Sequence, residues 1–166
     1  ALPGSGELTP DLIAIALGKK IVRNFKAPEI LVNRPPSLCA GCGHQETYYA
    51  LNEIIEEFGE GRVFSDIGCY TLGALPPYNT INTCVDMGAS ITMAKGASDA
   101  GLRPVFTVIG DSTFTHSGMT GLLDCVYEKS NINILIVDNE SVAMTGGQDS
   151  SAKGKIEEIC RGIGVL

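Results

Sequence analysis

The sequence contains no tryptophan, only two histidines and 6% aromatic residues in all. It has no apolar stretch near the roughly 20 residues a membrane-spanning helix requires, and no signal-peptide pattern opens it. Those absences lead to the expectation of a soluble, cytoplasmic protein. No lysine or arginine run offsets the net charge of −7, which argues against a nucleic-acid surface. Internal repeats and low-complexity segments are also missing. The six cysteines come without a secretory signal, so they point to metal, redox or core roles rather than a disulfide framework. What is there is 44% hydrophobic residues and 20 glycines in a chain of 166, the composition of one glycine-punctuated α/β domain. A domain of that size buries roughly 70% of its unfolded surface. An anionic ligand on so acidic a protein has to be held by local devices, a helix N-terminus or a bound cation.

Thr9-Pro10-Asp11 is a helix start, with Thr9 as N-cap and Pro10 in the first turn, and Leu12, Ile13, Leu17 and Ile21 mark one face. Pro28, Asn33, Pro35 and Pro36 then break regularity, so residues 1–33 read as a linker with a helix that drapes over a domain or links to another. The main domain is expected over residues 34–166, beginning near Arg34. Within it, Tyr48, Leu51, Ile54, Ile55 and Phe58 recur at helical spacing up to Gly59. Arg62 to Asp66 reads as a strand, Leu75-Pro76-Pro77 as an irregular connection, Ile81 to Val85 as a strand and Met87 to Ala100 as a small-residue helix. The apolar run Pro104 to Ile109 is a buried parallel strand, followed by a helix from His116 to Lys129, a strand from Ile132 to Val137 and a helix from Ile156 to Gly162. This alternation predicts a three-layer α/β/α sandwich with a mostly parallel sheet. The chain opens on Ala1 and closes on Gly164-Val165-Leu166, which reads as the start of another strand, so it is expected to be a piece of a longer protein.

Gly110-Asp111-Ser112 and Asp138-Asn139 follow two of the predicted strands, with Asp111 and Asn139 separated by 139 − 111 = 28 positions. One helix and one strand fill that gap, so both side chains sit at the carboxyl edge of adjacent parallel strands, where ligands collect. Magnesium takes about six oxygens and leaves several to phosphate and water. Asp111, Asn139 and a main-chain carbonyl just beyond, that of Ser141, fit such a site. The Ser112 N–H and its neighbours suit a diphosphate, and Gly146 and Gly147 of Thr145-Gly146-Gly147-Gln148 let backbone approach it without a Cβ clash. The plainer reading is that Gly-Asp and Asp-Asn are ordinary strand-end turns.

The spacing of Gly110-Asp111-Ser112 to Asp138-Asn139 resembles the motif of thiamine diphosphate-dependent enzymes, with Ser112 in place of the commoner glycine. The stretches Cys39-Ala40-Gly41-Cys42-Gly43-His44, Asp66-Ile67-Gly68-Cys69-Tyr70-Thr71-Leu72-Gly73, Gly110 to Gly118 and Met144 to Gln148 are more specific. They resemble the cofactor-binding domain of 2-oxoacid:ferredoxin oxidoreductases, most closely the large subunit of the indolepyruvate enzymes, from Glu7 onward. The resemblance implies thiamine diphosphate held on magnesium by Asp111, Asn139 and Ser141, with cofactor contacts from Gly68, Cys69, Met87, Gly110, Ser112, Thr145 and Gly146. It implies oxidative decarboxylation of an aryl 2-oxoacid, with electrons passing through iron–sulfur clusters to ferredoxin and the acyl group to coenzyme A. It also implies a separate pyrimidine-binding domain or subunit that completes the active site, and a smaller partner subunit. This stretch alone would then bind the diphosphate half of the cofactor weakly and catalyse little.

Cys39-x-x-Cys42 and Cys69 offer three thiolates in glycine-rich loops. The resemblance implies that they ligate a [4Fe–4S] cluster whose fourth ligand lies beyond Leu166. A structural role and zinc are the alternatives, while Cys84 and Cys125 read as core thiols. His44 and His116 are candidates to polarise a substrate carbonyl or relay a proton, or else are helix-start histidines bonded to backbone. Two other functions stay open at this point. One is a thiamine-dependent decarboxylase without electron transfer; the other is a module binding a different phosphate ligand through magnesium.

Overall fold

In the computed structural model, which describes residues 2–22, 28–32 and 35–165, Thr9 caps helix α1 (Pro10–Ala16) by accepting the Leu12 N–H at 3.3 Å. The helix ends before Leu17, one turn short of its predicted face, and none of its residues is buried. It belongs to the first of two units, residues 1–35 and 36–166. The domain boundary expected near Arg34 lies outside the described residues, as do Asn33 and Leu166.

In the second unit, α2 (Gly43–Glu56) precedes strand β1 (Val63–Ser65), and β2 (Thr83–Cys84) precedes α3 (Ala89–Asp99). Strand β3 (Phe106–Gly110) runs directly into α4 (Asp111–Thr113), a π turn (Phe114–Gly118) and α5 (Met119–Tyr127). Strand β4 (Asn133–Val137), a short hairpin of β5 (Ser141–Val142) and β6 (Gln148–Asp149), and α6 (Ile156–Ile163) complete it. The four-stranded sheet has the order β2-β1-β3-β4, and every pairing in it is parallel.

Alternation along the strands builds a core on each face of the sheet. Phe106 and Val108 of β3, with Leu135 and Val137 of β4, face Tyr48 and Leu51 of α2. Ile109, with Ile134 and Ile136, faces Ile91 of α3, Leu122 and Cys125 of α5 and Ile156, Ile159 and Ile163 of α6. The result is the three-layer α/β sandwich that the sequence predicts. Among the described residues no helix is long and apolar enough to cross a membrane.

Three further predicted elements differ. The helix expected from Met87 starts at Ala89, because Gly88 sits in the left-handed region at φ 90°. The strand expected over Ile81 to Val85 is two residues long. The helix expected from His116 starts five residues earlier, at Asp111, because Phe114 is fully buried and the π turn packs closely on the sheet. A Cβ at Gly118 would stand 2.8 Å from Ile109 Cδ1 and 3.1 Å from Phe114 Cδ2, so the glycine lets the turn lie close on the strand. Asp111 and Ser112 therefore form the first turn of a helix rather than a loop.

The chain order reverses between β1 and β3: from β1 it moves outward to β2, and from β3 outward to β4. In parallel sheets the loops diverge at such a point and leave a crevice at the carboxyl edge. The loops after β1, β3 and β4 meet there, with Gly110 paired in register to Val137.

Candidate active-site cavity

A cavity of about 230 Å³ occupies this crevice. Residues 67–70 after β1, Gly110 at the end of β3 with 111–113 beyond it, Val137 at the end of β4 with Asn139 beyond it, and 141–145 from the hairpin onward line it, together with His44 and Met87. The structure thus brings together His44, Gly68, Cys69, Met87, Gly110, Asp111, Ser112, Asn139, Ser141 and Thr145. Its volume lies below the roughly 300–1,000 Å³ usual for a ligand site.

Asp111 is only 3% exposed, and its Oδ2 is buried with no hydrogen-bond partner among the described residues. The Ser112 and Ser150 hydroxyl oxygens are likewise buried with no partner in hydrogen-bond geometry, although Ser150 lies near enough to the Asp111 carboxyl to act on its charge. Burial pushes the Asp111 carboxyl above the usual carboxylate range; the Ser150 side chain and Ser112 N–H partly oppose this, and Asp138 raises it further. A buried carboxylate oxygen without a donor is costly unless a cation or proton meets it. The loop after β4 supplies further oxygens. Asp138 Oδ1 accepts the Glu140 N–H at 3.0 Å and Asn139 Oδ1 accepts the Ser141 N–H at 3.2 Å, two successive turns that lead the chain off the sheet.

The hairpin end closes on itself. Thr145 Oγ1 donates to Gln148 Oε1 at 2.6 Å and Gln148 Nε2 donates to the Thr145 carbonyl at 2.9 Å. Gly146 and Gly147 have φ of 120° and 82°, so the turn itself calls for them. Gly146 follows the cavity wall rather than lining it.

His44 is buried and its ring stacks on Tyr70, with centroids 6.5 Å apart and planes at 13°. Nδ1 lies 3.0 Å from Cys42 Sγ, and burial lowers the imidazole pKa while the Asp111 charge partly restores it. His116 is exposed, outside the cavity, and paired at 3.0 Å with Ser117, whose hydroxyl donates to the Met87 carbonyl at 2.6 Å.

Cys39 and Cys42 line a second cavity of about 520 Å³ with Asp138, and His44, Val137 and Asn139 border both cavities. The Cys69 thiol is pushed up by burial and then by Cys39 and Cys42, so the three sulfurs lie within electrostatic reach of one another. Among the described residues no group of three or more His, Cys, Asp or Glu side chains stands ready to hold a metal ion. Cys125 is buried in the core as expected, whereas Cys84 is exposed.

Asp66, Tyr70, Thr71 and Thr113 stand in the stretches that carry the resemblance but received no role from the sequence, yet they tie the loop after β1 in place. The Tyr70 hydroxyl donates to Asp66, the Thr71 hydroxyl donates to the Asp66 carbonyl, and Thr113 Oγ1 donates to the Ile67 carbonyl at 2.9 Å. The available signal was positional: Asp66 follows β1 as Asp111 follows β3.

The family of thiamine pyrophosphate enzymes, C-terminal TPP binding domain, matches residues 66–160. Among curated proteins, the chain is similar to Indolepyruvate oxidoreductase subunit IorA of Methanothermobacter thermautotrophicus, 37% identical over 184 residues that cover 99% of this chain and 30% of that protein. The protein of the same name from Pyrococcus abyssi is 38% identical over 186 residues, covering 93% and 28%. Ketoisovalerate oxidoreductase subunit VorA of Methanothermobacter marburgensis is 27% identical over 130 residues, covering 75% and 27%. The chain spans about 30% of the length of the curated relatives it matches.

Proposed function

We propose, from the premise that the chain belongs to the thiamine pyrophosphate enzyme family of C-terminal TPP-binding domains, that it is the thiamine diphosphate-binding domain of an oxidoreductase acting on aryl 2-oxoacids of the indolepyruvate type. The names of its relatives support the substrate class. One observation carries the assignment of the site: the buried, unpartnered Asp111 Oδ2 at the end of β3, in a cavity shared with Asn139 and Ser141.

That donor set is made of hard oxygens and fits magnesium. Asp111, Asn139 and Ser141 would hold the ion, while Gly68, Cys69, Met87, Gly110, Ser112, Thr145 and Gly146 would bind or border the diphosphate and the adjoining part of the cofactor. Thiamine diphosphate, when bound, supplies the carbanion chemistry of decarboxylation. The chain's own part is to bind, orient and exclude water. Burial favours the neutral form of His44, and Nδ1 lies against Cys42, so the ring proton would sit on Nε2, able to donate to a substrate carbonyl, with Cys42 as a thiol, and on Nδ1, leaving Nε2 to accept a proton, with Cys42 as a cluster thiolate. His116, exposed and outside the cavity, receives no role.

Cys39, Cys42 and Cys69 provide soft thiolates suited to iron, and a [4Fe–4S] cluster would take all three and one further ligand. The overall reaction releases carbon dioxide, passes two electrons to ferredoxin and delivers the acyl group to coenzyme A. A pyrimidine-binding domain or subunit and a smaller partner subunit would complete the enzyme. The second reading is a non-oxidative thiamine-dependent decarboxylase, which needs neither a cluster nor ferredoxin. Anaerobic turnover of indolepyruvate by the full-length protein with its partner subunits separates the two. Coenzyme A-dependent reduction of ferredoxin is expected, and aldehyde release without ferredoxin reduction, from protein lacking iron and sulfide, would overturn the oxidative reading.

A further inference from the structure

Two carboxylates are buried among the described residues, Asp111 and Asp66, and the reading above uses only the first. Asp66 is 0% exposed at the end of β1. Its Oδ1 accepts the Tyr70 hydroxyl, and its Oδ2 accepts the Gly88 N–H at 3.0 Å and the Ser90 N–H at 3.2 Å. Two of the three donors are attached to walls of the cavity. Tyr70 follows Cys69 in the loop after β1, and Gly88 follows Met87 at the start of α3.

The Tyr70 ring in turn separates two other walls. It lies against both Gly68 and Gly110, so close that a Cβ at Gly110 would stand 2.6 Å from its Cε1. The ring also stacks on His44, and the Tyr48 hydroxyl donates to the Tyr70 carbonyl. Core burial does not require an acid here, since an apolar residue fills space at lower desolvation cost. An ionised carboxylate does what an apolar side chain cannot, accepting three donors from two separate elements at once.

We infer that Asp66, acting through Tyr70, is a positioning residue that sets the spacing between the Gly68–Cys69 wall and the Gly110–Asp111 wall, and through it the affinity for thiamine diphosphate. This rests on the cofactor reading of the cavity. The chain of contacts predicts a graded series. Tyr70→Phe keeps the ring and removes only the hydroxyl that pins it. Asp66→Ala removes the acceptor altogether. Asp66→Asn can turn its carbonyl to Gly88 and Ser90 and its amide to Tyr70, whose hydroxyl has a second acceptor in the Ile67 carbonyl at 3.1 Å.

The test is calorimetric titration of full-length protein, with its partner subunits, using thiamine diphosphate and magnesium, alongside kcat at saturating cofactor. Tyr70→Phe and Asp66→Ala are expected to weaken cofactor binding about tenfold, in line with other residues that orient a binding group, with the loss larger in affinity than in kcat at saturation. Asp66→Asn is expected to recover most of the affinity. Unchanged cofactor affinity in Tyr70→Phe and Asp66→Ala, with only yield or melting temperature lowered, would overturn the inference and leave Asp66 a fold residue. If Asp66→Ala fails to fold, the Tyr70→Phe titration alone decides. A parent protein that does not bind thiamine diphosphate would overturn the cofactor reading itself, a result distinct from variants that bind as the parent does.

Discussion

Gly110 precedes the central carboxylate, and replacing it with alanine probes how tightly the site is built. Its backbone, at φ −79° and ψ 158°, is one any residue adopts, so conformation does not demand glycine. Alanine would even gain about 0.4–1 kcal/mol by restricting the unfolded chain. Against that gain stands the Tyr70 ring, with Cε1 2.6 Å and Cδ1 3.0 Å from the new Cβ. Carbon atoms rest about 3.5–4.0 Å apart, so ring or strand must yield by about 1 Å. The ring has no free path, since its hydroxyl is bonded to Asp66 and its edge lies on Gly68. Overpacking of this kind costs about 1–3 kcal/mol. Taking about 2 kcal/mol for the clash and about 0.7 kcal/mol for the gain leaves a net loss near 1.3 kcal/mol. For a domain of this size that lowers Tm by about 3–5 °C.

Thermal unfolding followed by circular dichroism measures the change, and Gly96→Ala serves as the control. Gly96 lies inside α3 with nothing within 4 Å of an added Cβ, so alanine there should stabilise by about 0.8–1 kcal/mol. Gly110→Ala melting at or above the parent, like the control, would refute the view that Tyr70 is fixed between the two walls.

Other expectations address the cation, the thiols and the buried acid. Asp111→Asn should abolish magnesium-dependent cofactor binding by calorimetry while leaving Tm of the cofactor-free protein unchanged or raised, because Oδ2 has no partner to lose; a large fall in Tm would show a structural role instead. Cys42→Ser should lower iron and sulfide per chain in the anaerobically purified full-length protein, and unchanged content would favour a structural thiol. The Asp66 pKa is raised by burial, opposed by its hydrogen bonds from Ser90, Tyr70 and Gly88. Its folded state therefore holds the proton more tightly than the unfolded one, and that contribution to stability is fully present below the ordinary value of 3.8 and lost as pH rises through the folded value. Asp66→Asn should flatten this part of the stability–pH curve, and a curve parallel to the parent's would contradict it.

The strands around the site were legible because burial on both faces leaves an apolar run, as in Val105 to Ile109, and the ligand edge follows from parallel order. That Asp111, Asn139 and Ser141 lie together at that edge was readable for the same reason: they come after the strands. The early start of the helix at Asp111 was not, because Ser112, Thr113, Thr115 and Ser117 have weak helical preference and only the burial of Phe114 and the close fit at Gly118 hold them. Two-residue strands such as β5 and β6 are too short to show a period. The service of Asp66 to Tyr70 and α3 was hidden because its partners Gly88 and Ser90 are distant in sequence and donate from the backbone, which leaves no mark on residue type.

The most direct test of the site is calorimetric titration of the full-length protein with thiamine diphosphate and, separately, with ATP, each with magnesium and again with a chelator. Saturable thiamine diphosphate binding that the chelator abolishes, with ATP far weaker, is the predicted result. Equal affinity for the two ligands, or thiamine diphosphate binding indifferent to the chelator, would contradict the assignment of Asp111 and Asn139 to a magnesium-bound thiamine diphosphate.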